Sequence, residues 1–106
     1  MPMAMVYFTA ANREGALEIG RLLVEERLAA CVNVLGEITS LYHWEGRLQE
    51  ETEVAAIAKT SIERVRDLID RVKQVHKYDC PCAVSWTIGE GNPGFLDWVR
   101  TQTESQ

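Results

Sequence analysis

The chain has 106 residues, of which 46% are hydrophobic and 25% charged, and its formal net charge is −5. This length suits one domain, and the composition is typical of a folded globular chain rather than a disordered one. Because the chain is acidic and has no membrane-length apolar run, we expect a single domain over residues 1–106 with no nucleic-acid partner and no membrane span.

The amino-terminal residues lack the basic segment and the long apolar segment of a secretory signal peptide. Three cysteines are an odd number, which argues against a closed framework of disulfides within the chain. Both observations predict a reducing, cytoplasmic location.

The first elements follow from apolar spacing. Residues 3–10 form a short apolar run, which is typical of a strand covered on both faces. Asn12 is suited to cap a helix, with the carboxylate of Glu14 in the first turn. A broad apolar arc then predicts an amphipathic helix over roughly residues 13–29.

From Cys31 the period changes to two, so that Tyr42 and Trp44 share one face of a strand with Ile38 and Ser40. Glu45-Gly46 is a turn signal, and a second strand follows through residues 53–59. The pattern predicts a long β-hairpin.

The second half repeats the alternation of helix and strand. Thr60-Ser61-Ile62-Glu63 reads as a capping box before an amphipathic helix that reaches Val75. Residues 82–88 alternate as a last strand, and Asn92 with Pro93 starts a short carboxyl-terminal helix. The order predicts an α+β, ferredoxin-like β-α-β-β-α-β sandwich, with a four-stranded sheet covered on one face by the two long helices.

The hairpin is too long for its own domain. The fifteen residues from Cys31 to Glu45 would span roughly 50 Å when extended, whereas each long helix would span about 24 Å. The overhang carries Tyr42, Trp44 and Leu48. Exposed strand edges with large apolar groups invite pairing, so we expect a homo-oligomer, the alternative being a monomer with Trp44 folded back.

A set of motifs, in order along the chain, resembles the CutA divalent-cation tolerance family over about residues 6–99. The resemblance implies a ferredoxin-like fold, a cytoplasmic homotrimer assembled through long hairpins, and a role in metal tolerance with binding of copper or other divalent ions. It also implies a shape similar to PII signalling proteins. The motifs are Ala30-Cys31-Val32-Asn33, residues 38–46, Glu53, Lys59-Thr60, His76-x-Tyr78-x-x-Pro81 and Leu96-x-Trp98.

His76, Cys80 and Cys82 form the pattern H-x3-C-x-C, which is a candidate metal site. Two thiolates and an imidazole suit a soft or borderline ion such as Cu(I) or Zn(II), and residues 80 and 82 project to the same side of an extended chain. The alternative is structural: His76 is then a half-buried histidine at a helix end, and Cys82 a small core residue. Cys31 reads as a buried, inert thiol.

A second candidate site mixes charge with aromatic rings. The resemblance implies that its residues gather near a cleft between subunits, a common place for a ligand. The alternative is an interface in which Glu53 pairs with Lys59 and the aromatic rings fill the contact. Glu50, Glu51 and Glu53 could hold hard cations weakly, but a solvated acidic edge that discourages aggregation is the favoured interpretation. The cleft candidates are Tyr42, Trp44, Glu53, Lys59, His76 and Tyr78.

The chain contains no phosphate-binding loop, no nucleophile elbow and no HExxH motif, so we do not expect an enzyme. The leading interpretation is a cytoplasmic homotrimeric divalent-cation tolerance protein that binds copper or another divalent ion. The alternative is a PII-like signalling or scaffold trimer that binds a small molecule or a partner protein in its intersubunit clefts.

Overall fold

A computed structural model describes residues 2–104 of the chain. The four strands form one sheet in the order β2-β3-β1-β4, in which every neighbouring pair is antiparallel. This is the predicted ferredoxin-like arrangement. The elements are β1 (Met3–Ala10), α1 (Arg13–Glu25), β2 (Cys31–Trp44), β3 (Arg47–Ser61), a 3-10 turn (Ile62–Arg64), α2 (Val65–Val75), β4 (Ala83–Thr87) and α3 (Pro93–Gln102).

The core lies between one face of the sheet and the two long helices. Val6 and Phe8 of β1 are completely buried, and they pack in one cluster with Leu23 of α1 and Leu68 of α2. Because side chains alternate along a strand, Met5, Tyr7 and Thr9 point to the opposite face. That opposite side of the sheet, which we call the open face, has neither α1 nor α2 packed on it.

Helix α1 is shorter than predicted. The Asn12 side chain accepts a hydrogen bond from the Gly15 amide at 2.8 Å, which confirms the cap. The helix ends at Glu25 rather than near residue 29, because Arg27 adopts a left-handed conformation (φ 59°). The amides of Leu28 and Ala29 both donate to the Leu23 carbonyl, so these residues remain buried in a turn.

The predicted capping box before α2 is wrong. Thr60 belongs to β3, and its buried hydroxyl donates to the Leu28 carbonyl at 2.6 Å. Ser61 precedes the 3-10 turn without capping it through its side chain. Thr60 and Glu63 have the residue types and the spacing of a capping box. The Thr60 hydroxyl instead meets the Leu28 carbonyl, a partner 32 residues away that local spacing does not reveal.

The hairpin of β2 and β3 extends beyond the body as predicted. The pairing runs from Cys31↔Lys59 to Trp44↔Arg47, with a bulge between Val34 and Gly36. Residues 41–48 are all exposed, and the molecule measures 45 × 26 × 21 Å along its principal axes. Leu48 at the tip retains 70% of its exposure, so the hairpin is not folded back onto the body.

Candidate functional site

A cavity of about 600 Å³ lies along the open face of the hairpin. One set of lining residues comes from β2 and β3, and the other from the segment that joins α2 to β4. Four of the six predicted cleft residues line it, as do both cysteines of the predicted metal site. The lining residues are Thr9, Tyr42, Trp44, Gln49, Glu51, Glu53, Lys77, Tyr78, Asp79, Cys80 and Cys82.

The register of the hairpin explains which side chains enter the cavity. Tyr42 lies opposite Gln49, and Ser40 lies opposite Glu51. Glu51 and Glu53 are two residues apart on β3, so both carboxylates project from the open face. Glu50 lies between Gln49 and Glu51 and projects from the other face. The predicted acidic edge is therefore divided between two faces.

His76 positions the lining residues that come from the segment between α2 and β4. Its Nε2 donates to the Thr9 carbonyl at 2.7 Å, and its Nδ1 accepts from the Tyr78 amide at 3.0 Å. Because Nδ1 accepts an N–H, this arrangement requires the neutral tautomer with its proton on Nε2. The rings of His76 and Tyr78 also pack together, with centroids 4.5 Å apart. His76 thereby fixes the direction of Tyr78 without lining the cavity itself.

Negative charge dominates the electrostatics of the cavity. The Tyr78 hydroxyl donates to Glu53 Oε1 across 3.4 Å. Desolvation, and then the Glu53 charge, raise the pKa of Tyr78. Desolvation followed by Glu51 and Glu53 raises the pKa of Tyr42. The pKa of the Cys82 thiol is raised by partial burial and then by Glu53. Burial first, and the negative charge of the glutamates second, hold each of these groups in its neutral form.

The cavity carboxylates are not neutralised by neighbouring bases. Glu51, Glu53 and Asp79 line the cavity with one cationic side chain, Lys77. Among residues 2–104, the ion pairs join Arg71 to Glu26, and Arg100 to Asp97 and Glu104, all outside the cavity. The lining therefore has a formal charge of −2.

The predicted metal set does not form a centre within one chain. Both ring nitrogens of His76 are engaged in hydrogen bonds, whereas Cys80 and Cys82 are free, exposed thiols at the cavity. In the part of the chain that the structure describes, no group of three or more His, Cys, Asp or Glu side chains lies close enough to hold a metal ion. A metal bound by this chain therefore needs further ligands or a rearrangement, and the set His76, Cys80 and Cys82 stays a prediction.

Lys59 lies apart from the other cleft candidates. Its Nζ donates to Asn33 Oδ1 at 2.8 Å and sits 5.6 Å from the centroid of the Phe95 ring. It does not line the cavity. Within one chain Glu53 and Lys59 lie six positions apart along β3 and form no ion pair with each other, so the expected Glu53–Lys59 pair stays a prediction for the contact between copies. Sequence reasoning missed Gln49 and Asp79 as lining residues and did not place Glu51 in the cleft. The two-residue turn at Glu45-Gly46 sets the register of the hairpin, so that Gln49 lies opposite Tyr42 and Glu51 opposite Ser40, on the same face as Trp44.

In residues 2–104, no helix is both long enough and apolar enough to span a bilayer.

Comparisons with known proteins agree on one family. The family model described as CutA1 divalent ion tolerance protein matches residues 4–102. The mouse protein named Protein CutA is 40% identical over 103 residues, which are 97% of this chain and 58% of that protein. The chain thus spans little more than half of this relative. A divalent-cation tolerance protein CutA of Thermus thermophilus is 42% identical over 99 residues, covering 93% of this chain and 96% of that one.

Solved structures support the same relation. The crystal structure of CutA1 from Oryza sativa superposes with a TM-score of 0.96 at 35% sequence identity, covering all of this chain and 97% of that one. The structure of the periplasmic divalent cation tolerance protein CutA from Archaeoglobus fulgidus gives a TM-score of 0.93 at 39% identity, with 96% and 99% coverage. These family names are not those of an enzyme family.

Proposed function

The chain belongs to the CutA1 divalent ion tolerance family, and we propose that it acts as a cytoplasmic homotrimer that binds copper or another divalent ion and catalyses no reaction. In this proposal residues 1–106 form one domain, and the ion is a cargo rather than a resident cofactor. The observation that carries the proposal is the anionic cavity at the hairpin, where Cys80 and Cys82 lie beside Glu51 and Glu53.

The chemistry of this lining suits a borderline or soft cation. Thiolate sulfurs select copper and zinc over calcium or magnesium, and the carboxylates supply charge. A cation lowers the pKa of a coordinating thiol, which offsets the raised pKa of Cys82. Residues 2–104 of one chain do not bring three such ligands together, so completion of the site by another copy is part of the proposal.

One feature supports oligomerisation and another supports the cytoplasmic setting. The open face exposes Val84 and Trp86 of β4, which keep 54% and 45% of their exposure. Exposed apolar groups on a sheet face that α3 covers only in part, at Met3 and Lys59, favour association with another copy. The three cysteines are free thiols, as expected in a reducing compartment.

The test is a titration of the full chain with Cu(I) under reducing conditions, measured against a competing chelator. Cys80→Ser and Cys82→Ser should each weaken binding by about ten-fold or more, because each removes a soft ligand. Cys31→Ser is the matched control, since Cys31 does not line the cavity and should bind as the unchanged chain does. Absence of saturable binding, or equal weakening in Cys31→Ser, would contradict the proposal.

A second candidate function is PII-like binding of a small molecule in the same cavity. The observation that favours it is the presence of three aromatic residues in the lining, Tyr42, Trp44 and Tyr78, which a metal ion does not need. A metabolite that raises the melting temperature of the metal-free protein would support this function.

A further inference from the structure

We propose that the cavity on the open face of the hairpin binds a short aliphatic diamine or polyamine, with its ammonium groups at Glu51 and Glu53 and its methylene chain against Tyr42, Trp44 and Tyr78. This inference names a ligand class for the second candidate function, small-molecule binding in the same cavity, and it rests on that function rather than on metal binding. It rests on the spacing of the two carboxylates, the aromatic lining and the charge of the cavity.

The two carboxylates are spaced as a diamine requires. Glu51 and Glu53 lie two residues apart on β3, so their side chains leave the same face about 7 Å apart along the strand. A short alkyl chain with an ammonium at each end reaches from one carboxylate to the other. Neither carboxylate forms an ion pair with a lysine or arginine in residues 2–104, so no base of the described chain has to be displaced.

The aromatic residues supply what an alkylammonium ion needs besides charge. Tyr42, Trp44 and Tyr78 keep 40%, 56% and 37% of their exposure, so part of each ring surface is open to a ligand. Ammonium groups are attracted to ring faces, and methylene groups gain free energy when they leave water for an apolar surface. His76 holds one of these rings in place through its contact with Tyr78.

A tyrosine hydroxyl connects the aromatic lining to one of the carboxylates. Tyr78 donates to Glu53, so this carboxylate is oriented by a phenol whose own ring lines the cavity. Tyr42 lies on the same face of the hairpin as Glu51, and after desolvation the Glu51 charge contributes to the raised pKa of Tyr42. A carboxylate held in this way keeps acceptor positions for an incoming ammonium group, because an ionised carboxylate has about four lone-pair sites.

An organic cation fits the lining that a single chain provides, whereas a metal ion needs further ligands and an anion meets negative charge. The described residues contain no group of three His, Cys, Asp or Glu side chains that would coordinate a metal, whereas an ammonium ion needs no fixed coordination geometry. The formal charge of −2 and the raised pKa values of the tyrosines and of Cys82 disfavour an anion. The volume of about 600 Å³ accommodates a small organic molecule.

The test is calorimetric titration of the metal-free, full-length protein with putrescine in a chelator-containing buffer of low ionic strength. Butylamine, with one ammonium group, serves as the control ligand. Glu51→Gln and Glu53→Gln are the test variants. Glu50→Gln is the matched control, because it removes the same charge from the same strand on the opposite face.

We expect saturable putrescine binding, at least about five-fold tighter than butylamine, since the second ammonium–carboxylate pair adds about 1 kcal/mol. Each test variant should weaken putrescine binding by about five-fold, and Glu50→Gln by less than two-fold. The proposal is overturned if putrescine does not bind saturably, if butylamine binds equally well, or if Glu50→Gln weakens binding as much as Glu53→Gln. The copper titration uses the cysteine variants, so failure of either proposal is distinguishable from failure of the other.

Discussion

Glu53 is the residue on which most of the cavity's interactions converge. It accepts a hydrogen bond from Tyr78, and its charge contributes to the raised pKa values of Tyr42, Tyr78 and Cys82. Groups whose pKa is raised in the folded state keep their protons longer than in the unfolded chain. Because of this difference, the free energy of unfolding depends on pH in the alkaline range.

The sign of that coupling gives a prediction. As pH rises past the ordinary pKa values of 9.0 for Cys82 and 10.0 for Tyr78, the unfolded chain loses these protons first. The unfolded state then binds fewer protons, so the free energy of unfolding should fall as pH increases through this window. Stability contributed by these groups is fully present below pH 9.

Glu53→Gln should make this fall less steep, because it removes the charge but leaves the burial. Urea denaturation at a series of pH values from 7 to 11 measures the slope. Glu50→Gln, with the same charge change on the other face of β3, should keep the slope of the unchanged chain. A slope unaffected by Glu53→Gln, or affected equally by both variants, would contradict the assigned role of Glu53.

At the residue scale, the sequence predicted types of side chain better than their partners. Alternation along β2 correctly placed Tyr42 and Trp44 on one face, because period two is a local property of the backbone. The contact of His76 with the Thr9 carbonyl joins positions 67 residues apart, and no local spacing reveals it. Glu51 was grouped with Glu50 as one acidic edge, although the same alternation separates them.

At the scale of elements, the hairpin turn is the clearest case of a strained backbone. Glu45 and Gly46 are the two central residues between β2 and β3, and both have positive φ, at 52° and 76°. Two positive φ values are what a type I′ turn requires. Glycine adopts this conformation freely, whereas glutamate is disfavoured there by steric contact of its Cβ.

Glu45→Asn should therefore stabilise the protein by about 0.5–1 kcal/mol, since asparagine tolerates the left-handed region and is favoured at this position of the turn. Gly46→Ala should have the opposite effect and cost about 1 kcal/mol. Denaturant midpoints with unchanged m-values measure both changes. A destabilised Glu45→Asn variant would show that the turn is not of this type.

The elements themselves follow well from periodicity, but their ends depend on tertiary contacts. The apolar arc that suggested a helix to residue 29 continues through Leu28 and Ala30, which are buried although they lie outside α1. The left-handed conformation of Arg27 redirects the chain and keeps these side chains in the core. Burial alone therefore produced a helical pattern where the backbone is a turn.

At the scale of the whole molecule, the long hairpin and the open face present the same problem of exposed apolar surface. The overhang was predicted from chain length, because the rise per residue in strands is about twice that in helices. The position of Lys59 has a similar geometric cause, since six positions along β3 separate it from Glu53 within one chain. A cleft that holds both residues therefore requires a second copy, and this part of the expected cleft stays a prediction.

The proposed trimer predicts that Trp86 is an interface residue. Trp86→Glu should dissociate the assembly or weaken it by more than ten-fold, because it places a charge in an apolar contact. Ile62→Glu is the control, since Ile62 has a comparable exposure of 37% and lies outside the sheet, in the 3-10 turn. Circular dichroism verifies that each variant remains folded.

The proposed trimer is tested by the mass of the unliganded full chain in solution, obtained by native mass spectrometry and light scattering at micromolar concentration. We expect three copies for the unchanged protein and for Ile62→Glu, and a smaller species for Trp86→Glu. A mass of 12.0 kDa for the unchanged protein, equal to a single chain, would contradict it.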